Sequence, residues 1–108
     1  MSVVSYNIDQ QVGVISINNP PLNLLCHALR EGILNAITAA QNDASKALVI
    51  ICEGRTFCAG ADIKEFNQTP KSPLLPDLIA AVEASTKPVI AAVHGSALGG
   101  GFELALSC

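Results

Sequence analysis

The sequence predicts an α/β protein in which strand–loop–helix layers stack on one another. Short apolar runs typical of buried strands alternate with segments whose apolar residues recur at helical spacing. Two stretches are also alike at an offset of 41 residues, "KALVIICEGRTFCAG" from Lys46 and "KPVIAAVHGSALGGG" from Lys87. Each runs from a lysine through a buried strand and a glycine loop to a helix start, which predicts two equivalent layers.

The first half of the chain predicts a strand, a long helix and a second strand. "VGVISIN" (12–18) alternates β-branched and small residues and stops at "NPP", as a strand ending in a turn does. Residues from about 24 to 41 carry apolar side chains at helical spacing. The opposite side of that helix is predicted to be polar, with Arg30, Glu31, Asn35 and Thr38. "KALVIIC" is predicted to be a strand covered on both faces.

The second half predicts a glycine-punctuated loop, a helix, a strand and a further helix. In "EGRTFCAGADIKEF" we expect Asp62 to cap a short helix rather than to act as a catalyst. "NQTPKSP" is polar and contains proline, so it is predicted to be a surface loop. Residues 76–85 predict a helix that breaks at Lys87–Pro88, "PVIAAV" a buried strand, and "FELALSC" a helix.

Composition excludes several classes of protein. A chain of 108 residues is enough for one domain and too short for two, and its 50% hydrophobic content indicates a packed core. The net charge of −3, without any cluster of Lys and Arg, argues against nucleic acid or an anionic membrane as a partner. Four cysteines without metal-ligand spacing predict free buried thiols in a reducing compartment, and no metal: Cys26, Cys52, Cys58 and Cys108.

The stretch "HGSALGGGFELAL" places three glycines and one acidic residue, Glu103, inside an apolar run. A phosphate loop would need lysine at Gly101, and a dinucleotide-binding fingerprint would need glycine at Leu104. A nucleophile elbow around Ser96 lacks its flanking glycines. What remains is an oxyanion site, in which amides at two strand ends hold a carbonyl oxygen and Glu103, in an apolar surround, acts on a nearby proton.

Several of these residues also have a purely structural interpretation. Glu103 could be a helix-start acid that interacts only with the helix dipole. His94 is predicted to make a structural hydrogen bond at a strand end. Phe57, Phe66 and Phe102 are core or pocket-lining residues that the sequence does not separate.

The motifs "FCAGADIKEF" and "GSALGGGFELAL", with "KPVIAAVHG" between them, resemble the enoyl-CoA hydratase/isomerase (crotonase) family. The resemblance extends from "VGVISINNPPLN" to the end, and the opening is most similar to the N-terminal hydratase module of multifunctional fatty-acid oxidation enzymes. It implies an α/β spiral of repeated β-β-α units. Residues 1–108 would be the N-terminal part of a single crotonase-type domain that continues beyond Cys108.

The resemblance also implies roles for individual residues. The amides of Ala61 and Gly100 would form the oxyanion hole, and Glu103 would be one of two catalytic carboxylates. The second carboxylate would lie beyond Cys108. Contacts with the coenzyme A thioester would come from Leu24, Ala59, Gly60, Asp62, Ile63, Lys64 and Gly101. Lys64 could instead be a solvated charge.

The function implied is hydration of the 2,3 double bond of 2-enoyl-CoA in fatty-acid β-oxidation. Two alternatives stay open: a 3,2-enoyl-CoA isomerase that uses one carboxylate, and a non-catalytic acyl-CoA-binding homologue or fragment. The resemblance implies no cofactor in this segment, with NAD only if a dehydrogenase module follows. It further implies acyl-CoA as the partner, a homotrimer or a subunit of a multifunctional complex, and a cytoplasmic location, or a peroxisomal one in a eukaryote.

Overall fold

A computed structural model describes residues 2–108, which form four strands, three α-helices and one 3-10 turn. In chain order the elements are β1 Val4–Asp9, β2 Val12–Ile17, α1 His27–Ala40, β3 Ala47–Cys52, the 3-10 turn Ile63–Glu65, α2 Leu75–Ala84, β4 Val89–Ala91 and α3 Gly100–Ser107. Of the helices in this part of the chain, none has both the length and the apolar character that crossing a bilayer requires.

The four strands form one mixed sheet in the order β1-β2-β3-β4. β1 runs antiparallel to β2, whereas β2, β3 and β4 are parallel to their neighbours. Leu48 of β3 pairs with Val89 of β4, so the 41-residue offset seen in the sequence is the register between these strands. Gly54 and Gly95, which follow the two strands, both adopt positive φ, at 83° and 59°. The two predicted layers are therefore confirmed as equivalent in their strands and in the first glycine after each strand.

The hairpin of β1 and β2 was not predicted. Its two-residue loop consists of Gln10 and Gln11, whose φ angles of 49° and 72° are both positive. Turns of this kind normally contain Asn, Asp or Gly, because those residues tolerate positive φ. Glutamine gives no such signal, so the hairpin could not be recognised from the sequence.

One hydrophobic core joins the sheet to the helices. Buried residues of α1 and of the strands meet in it, among them Leu29, Ile33, Ile37, Ile15, Ile17, Leu48 and Ile50. The prediction that β3 is covered on both faces is wrong for the described residues, because Ile51 is 43% exposed. In β4, Ile90 is likewise 54% exposed. Leu48 and Ile50 of β3 belong to the core, whereas Ala47 and Val49, which alternate with them, are half-buried.

The structure separates the three phenylalanines. Phe57 is fully buried in the core, whereas Phe66 and Phe102 are 69% and 52% exposed. We expect Phe57→Ala to lower the free energy of unfolding by about 3–5 kcal/mol, because the lost ring leaves a cavity in a packed interior. Phe66→Ala is the matched control and should change it by no more than about 0.5 kcal/mol. Urea denaturation measures both, and equal losses in the two variants would contradict this assignment.

The cysteines are free, as predicted, and Cys52 and Cys58 are buried. Burial raises the pKa of the Cys52 thiol to about 12 and also raises that of Cys58. Both thiols are therefore protonated near neutral pH and poor nucleophiles. The prediction of burial is wrong for Cys108, which is exposed on the last turn of the described chain, and Cys26 is half-buried.

Candidate active site

The two glycine loops lie side by side at one edge of the sheet. The first follows β3 and the second follows β4, and Cys58 pairs with Ala97 in a parallel bridge between them. Three backbone hydrogen bonds connect the loops: Phe57 N–H to His94 O at 3.2 Å, Cys58 N–H to Ser96 O at 3.2 Å, and Leu98 N–H to Cys58 O at 2.9 Å. Parallel strands end at the same edge, so the sheet brings the two motifs together.

This close approach depends on glycine. A Cβ atom on Gly101 would overlap the backbone oxygen and side chain of Cys58. At Gly60, φ is 121°, and a Cβ atom there would lie 3.9 Å from the amide nitrogen of Gly100. Glycine at these positions lets the first loop, which leads into Ala61, reach the start of α3.

Two amides at this junction are without a protein acceptor. Within residues 2–108, neither the Ala61 N–H nor the Gly100 N–H donates a hydrogen bond to the protein. Gly100 is the first residue of α3, where the helix dipole is positive. A Cβ atom on Gly100 would lie 3.0 Å from the Leu25 side chain and 2.9 Å from that of Leu75, so apolar groups crowd this amide.

Glu103 lies one turn into α3, and its own N–H donates to Gly99 O at 3.0 Å. The apolar surround expected for its carboxylate is wrong for the described residues, because Glu103 is exposed. The helix turns Gly101 and Leu104 toward the core, which leaves Glu103 on the outer side. The carboxylate is thus accessible to a substrate, and its helix holds the Gly100 amide at a fixed position relative to it.

A cavity of about 340 Å³ lies next to this junction, with Ala61 in its wall. Its apolar lining consists of Leu25, Ala61, Phe66, Pro70, Leu74 and Leu75. Its charged or titratable lining residues are His27, Arg30, Asp62, Glu65 and Lys71, and Gln68 and Thr69 add uncharged polar groups. An apolar cavity with a few polar groups is typical of a site for a small molecule with an apolar part.

The other predicted substrate contacts surround this junction. Ala59 N–H donates to Leu22 O at 3.0 Å, and Gly60 O accepts from Leu25 N–H at 2.9 Å, so segment 22–25 packs along the first loop. Leu25 lines the cavity, whereas Leu24 is half-buried outside its lining.

Asp62 and His94 make the structural contacts predicted for them. The Asp62 side chain accepts a hydrogen bond from Lys64 N–H at 3.0 Å, which confirms the predicted cap, and Asp62 also lines the cavity. His94 Nε2 lies 2.7 Å from Gly54 O, which confirms the predicted hydrogen bond. Ile63 and Lys64 are exposed on the same 3-10 turn, where a ligand outside the cavity could reach them.

Arg30 was not among the predicted site residues, and the sequence pattern placed it on the polar side of α1. Arg30 is only 8% exposed, and its Nη1 donates to Glu65 Oε1 at 3.0 Å. Partial burial raises the pKa of Glu65, but hydrogen bonds from the His27 amide and from Arg30 outweigh it and hold the pKa below its ordinary value. Helical periodicity alone does not identify Arg30 as buried, since three of its four acceptors belong to residues 65–73.

Comparison with known proteins supports the same interpretation. The sequence profile of the family described as "Enoyl-CoA hydratase/isomerase" matches residues 7–108. This chain belongs to that family. It is 46% identical over 102 residues to the "Peroxisomal bifunctional enzyme" of Danio rerio, covering 94% of this chain and 14% of the relative. It is 42% identical over 116 residues to the "Probable enoyl-CoA hydratase" of Bacillus subtilis, covering 100% of this chain and 45% of that protein.

Solved structures confirm the fold. A putative enoyl-CoA hydratase/isomerase (crotonase) from Legionella pneumophila matches with a TM-score of 0.88 and 31% identity, over 100% of this chain and 46% of the other. Both the family recognised from the motifs and the α/β crotonase fold predicted from them are thus confirmed. The chain corresponds to the N-terminal part of that fold. Enzymes of the enoyl-CoA hydratase/isomerase family need no cofactor, and the CoA thioester is their substrate.

Proposed function

We propose that this member of the enoyl-CoA hydratase/isomerase family adds water across the 2,3 double bond of 2-enoyl-CoA thioesters. The observation that carries the proposal is two amides that have no acceptor within residues 2–108: Ala61, which lines the cavity, and Gly100, one turn before Glu103 on α3. This combination suits a thioester whose carbonyl oxygen gains negative charge during reaction.

In the proposed mechanism the two amides hold the thioester oxygen. Addition of water at C3 pushes electrons toward that oxygen, and the resulting enolate is stabilised by fixed N–H donors and by the start of α3. Glu103 transfers a proton between water and substrate, which its accessible carboxylate permits. The acyl chain occupies the cavity beside Ala61, and Ile63 and Lys64 contact the coenzyme A part.

The proposal includes residues outside this sequence. The chain spans 45% of the Bacillus relative and 14% of the Danio relative. We therefore propose that residues 1–108 are the N-terminal part of a single crotonase-type domain, with a second hydratase carboxylate in the remainder. A homotrimer, or a place in a multifunctional enzyme, belongs to the same proposal. The Danio relative is a peroxisomal enzyme by name, which supports a peroxisomal location as the alternative to a cytoplasmic one.

Isomerisation is the second candidate, since it needs one carboxylate where hydration uses two. In the described residues the other acids near the cavity are occupied: Asp62 caps a turn and Glu65 is bound to Arg30. The proposal therefore assigns proton transfer to Glu103, whose carboxylate is exposed. An isomerase would use it to move a proton from C2 to C4 of a 3-enoyl-CoA.

Product analysis with the whole protein distinguishes these candidates. A hydratase converts crotonyl-CoA into a product heavier by one water, whereas an isomerase converts 3-enoyl-CoA into 2-enoyl-CoA of unchanged mass. We expect hydration to be the faster reaction. Calorimetric binding of acetoacetyl-CoA without turnover of either substrate would favour the non-catalytic alternative and overturn the proposal.

A further inference from the structure

One wall of the cavity lacks backbone support of its own. This wall is the loop 69–73, of which Thr69, Pro70 and Lys71 line the cavity together with Gln68. Within residues 2–108 no backbone–backbone hydrogen bond is made by any residue of loop 69–73. Exposed loops without such bonds open easily, so something else must hold this one in place.

Side chains of α1 supply the missing bonds. Arg30 Nε donates to Pro73 O at 2.7 Å, and Arg30 Nη2 donates to Lys71 O at 3.1 Å. His27 Nε2 lies 3.0 Å from Ser72 O, and because a carbonyl only accepts, that nitrogen carries the proton. Three consecutive carbonyls of loop 69–73 are therefore held by two residues one turn apart on α1.

The buried guanidinium is fixed by further partners. Arg30 Nη1 donates to Leu25 O at 2.7 Å and to Glu65 Oε1 at 3.0 Å, while the other oxygen of Glu65 accepts from His27 N–H at 2.8 Å. The charge of Arg30 is thus matched by Glu65, and most of its N–H groups already have acceptors. A ligand anion would have to displace these bonds, so Arg30 is suited to hold protein rather than substrate.

We propose that Arg30 is a positioning residue that fixes loop 69–73 as the wall of the acyl cavity and so determines affinity for longer acyl chains. The proposal rests on the proposed function, because it takes the ligand of the cavity to be an acyl chain. Lysine could not replace arginine here, since a single ammonium cannot reach two loop carbonyls and Glu65 with the same geometry.

Trypsin tests whether Arg30 holds loop 69–73 in place, and it does so without measuring activity, because Lys71 lies within that loop. We expect Arg30→Lys and Arg30→Met to accelerate cleavage after Lys71 by about 10-fold in the whole protein, since the loop opens more often. Asn35→Ala, an exposed change on the same helix, is the matched control and should be cleaved at the wild-type rate. Decanoyl-CoA, a saturated thioester, should slow cleavage of the wild-type protein.

Kinetics then test the consequence for substrate. For Arg30→Lys we expect KM for 2-decenoyl-CoA to rise about 10-fold, with KM for crotonyl-CoA and both kcat values within about twofold of wild type. A loss of kcat that is equal for the two substrates would show a merely structural role and overturn the proposal. Thermal unfolding of each variant verifies that it is folded.

The two proposals fail in different ways. The positioning role is overturned if Arg30→Lys is cleaved at the wild-type rate. It is also overturned if decanoyl-CoA does not slow cleavage of a protein that hydrates 2-decenoyl-CoA. If the protein is inactive on every enoyl-CoA but Arg30→Lys is still cleaved faster than wild type, the proposed function is overturned while the role of Arg30 in holding loop 69–73 is supported.

Discussion

Glu103→Gln is expected to lower kcat for hydration of crotonyl-CoA by about 10²–10⁴-fold, the usual contribution of a general acid–base. Glutamine keeps the shape and hydrogen-bonding capacity of the side chain but cannot take or give the proton. KM should change little, because Glu103 is exposed on α3 and does not line the cavity that would bind the acyl chain. Steady-state kinetics of the whole protein measure both constants.

The matched control is Glu83→Gln, which removes an exposed carboxylate from α2 and should leave both constants unchanged. Full activity in Glu103→Gln would show that the carboxylate beside the glycines only interacts with the helix dipole. Loss of both hydration and acetoacetyl-CoA binding would assign Glu103 to binding instead of proton transfer.

Gly100→Pro is expected to lower kcat by about 10²–10³-fold, since it removes the N–H proposed to meet the oxyanion. Proline is tolerated at the first position of a helix, which is where Gly100 lies, so α3 should still form. Its ring would, however, press on Leu25 and Leu75, whose side chains lie about 3 Å from a Cβ atom at this position. We therefore expect KM to rise as well.

Gly100→Ala separates the two effects, because it adds the Cβ atom and retains the N–H. Alanine should raise KM by disturbing Leu25 and Leu75, while most of kcat remains. If alanine and proline lower kcat equally, the amide has no special role and the oxyanion hole is elsewhere. Near-UV circular dichroism of both variants tests whether the packing around α3 is retained.

The sequence by itself determined the layers and predicted a chemistry for the candidate site. The pattern of lysine, buried strand and glycine recurs at a fixed offset in the sequence. The same offset is the register between the parallel strands β3 and β4. The failure of "GSALGGGFE" to match phosphate, dinucleotide or nucleophile motifs left the oxyanion interpretation, which stays a prediction. The cap at Asp62 also followed from local pattern alone, since its acceptor and donor are two residues apart.

Only the tertiary structure decided which residues meet across the chain. Periodicity placed Arg30 on the polar side of α1, yet it is buried, because carbonyls of a loop about 40 residues away satisfy it. The exposure of Ile51 and Ile90 could not be predicted either, since an apolar run does not reveal how many of its faces are covered. The contact that excludes any side chain at Gly101 comes from Cys58, in the other glycine loop. The local sequence pattern indicates secondary-structure propensity and the spacing of apolar residues. Burial and hydrogen-bond partners depend on which distant segments pack together.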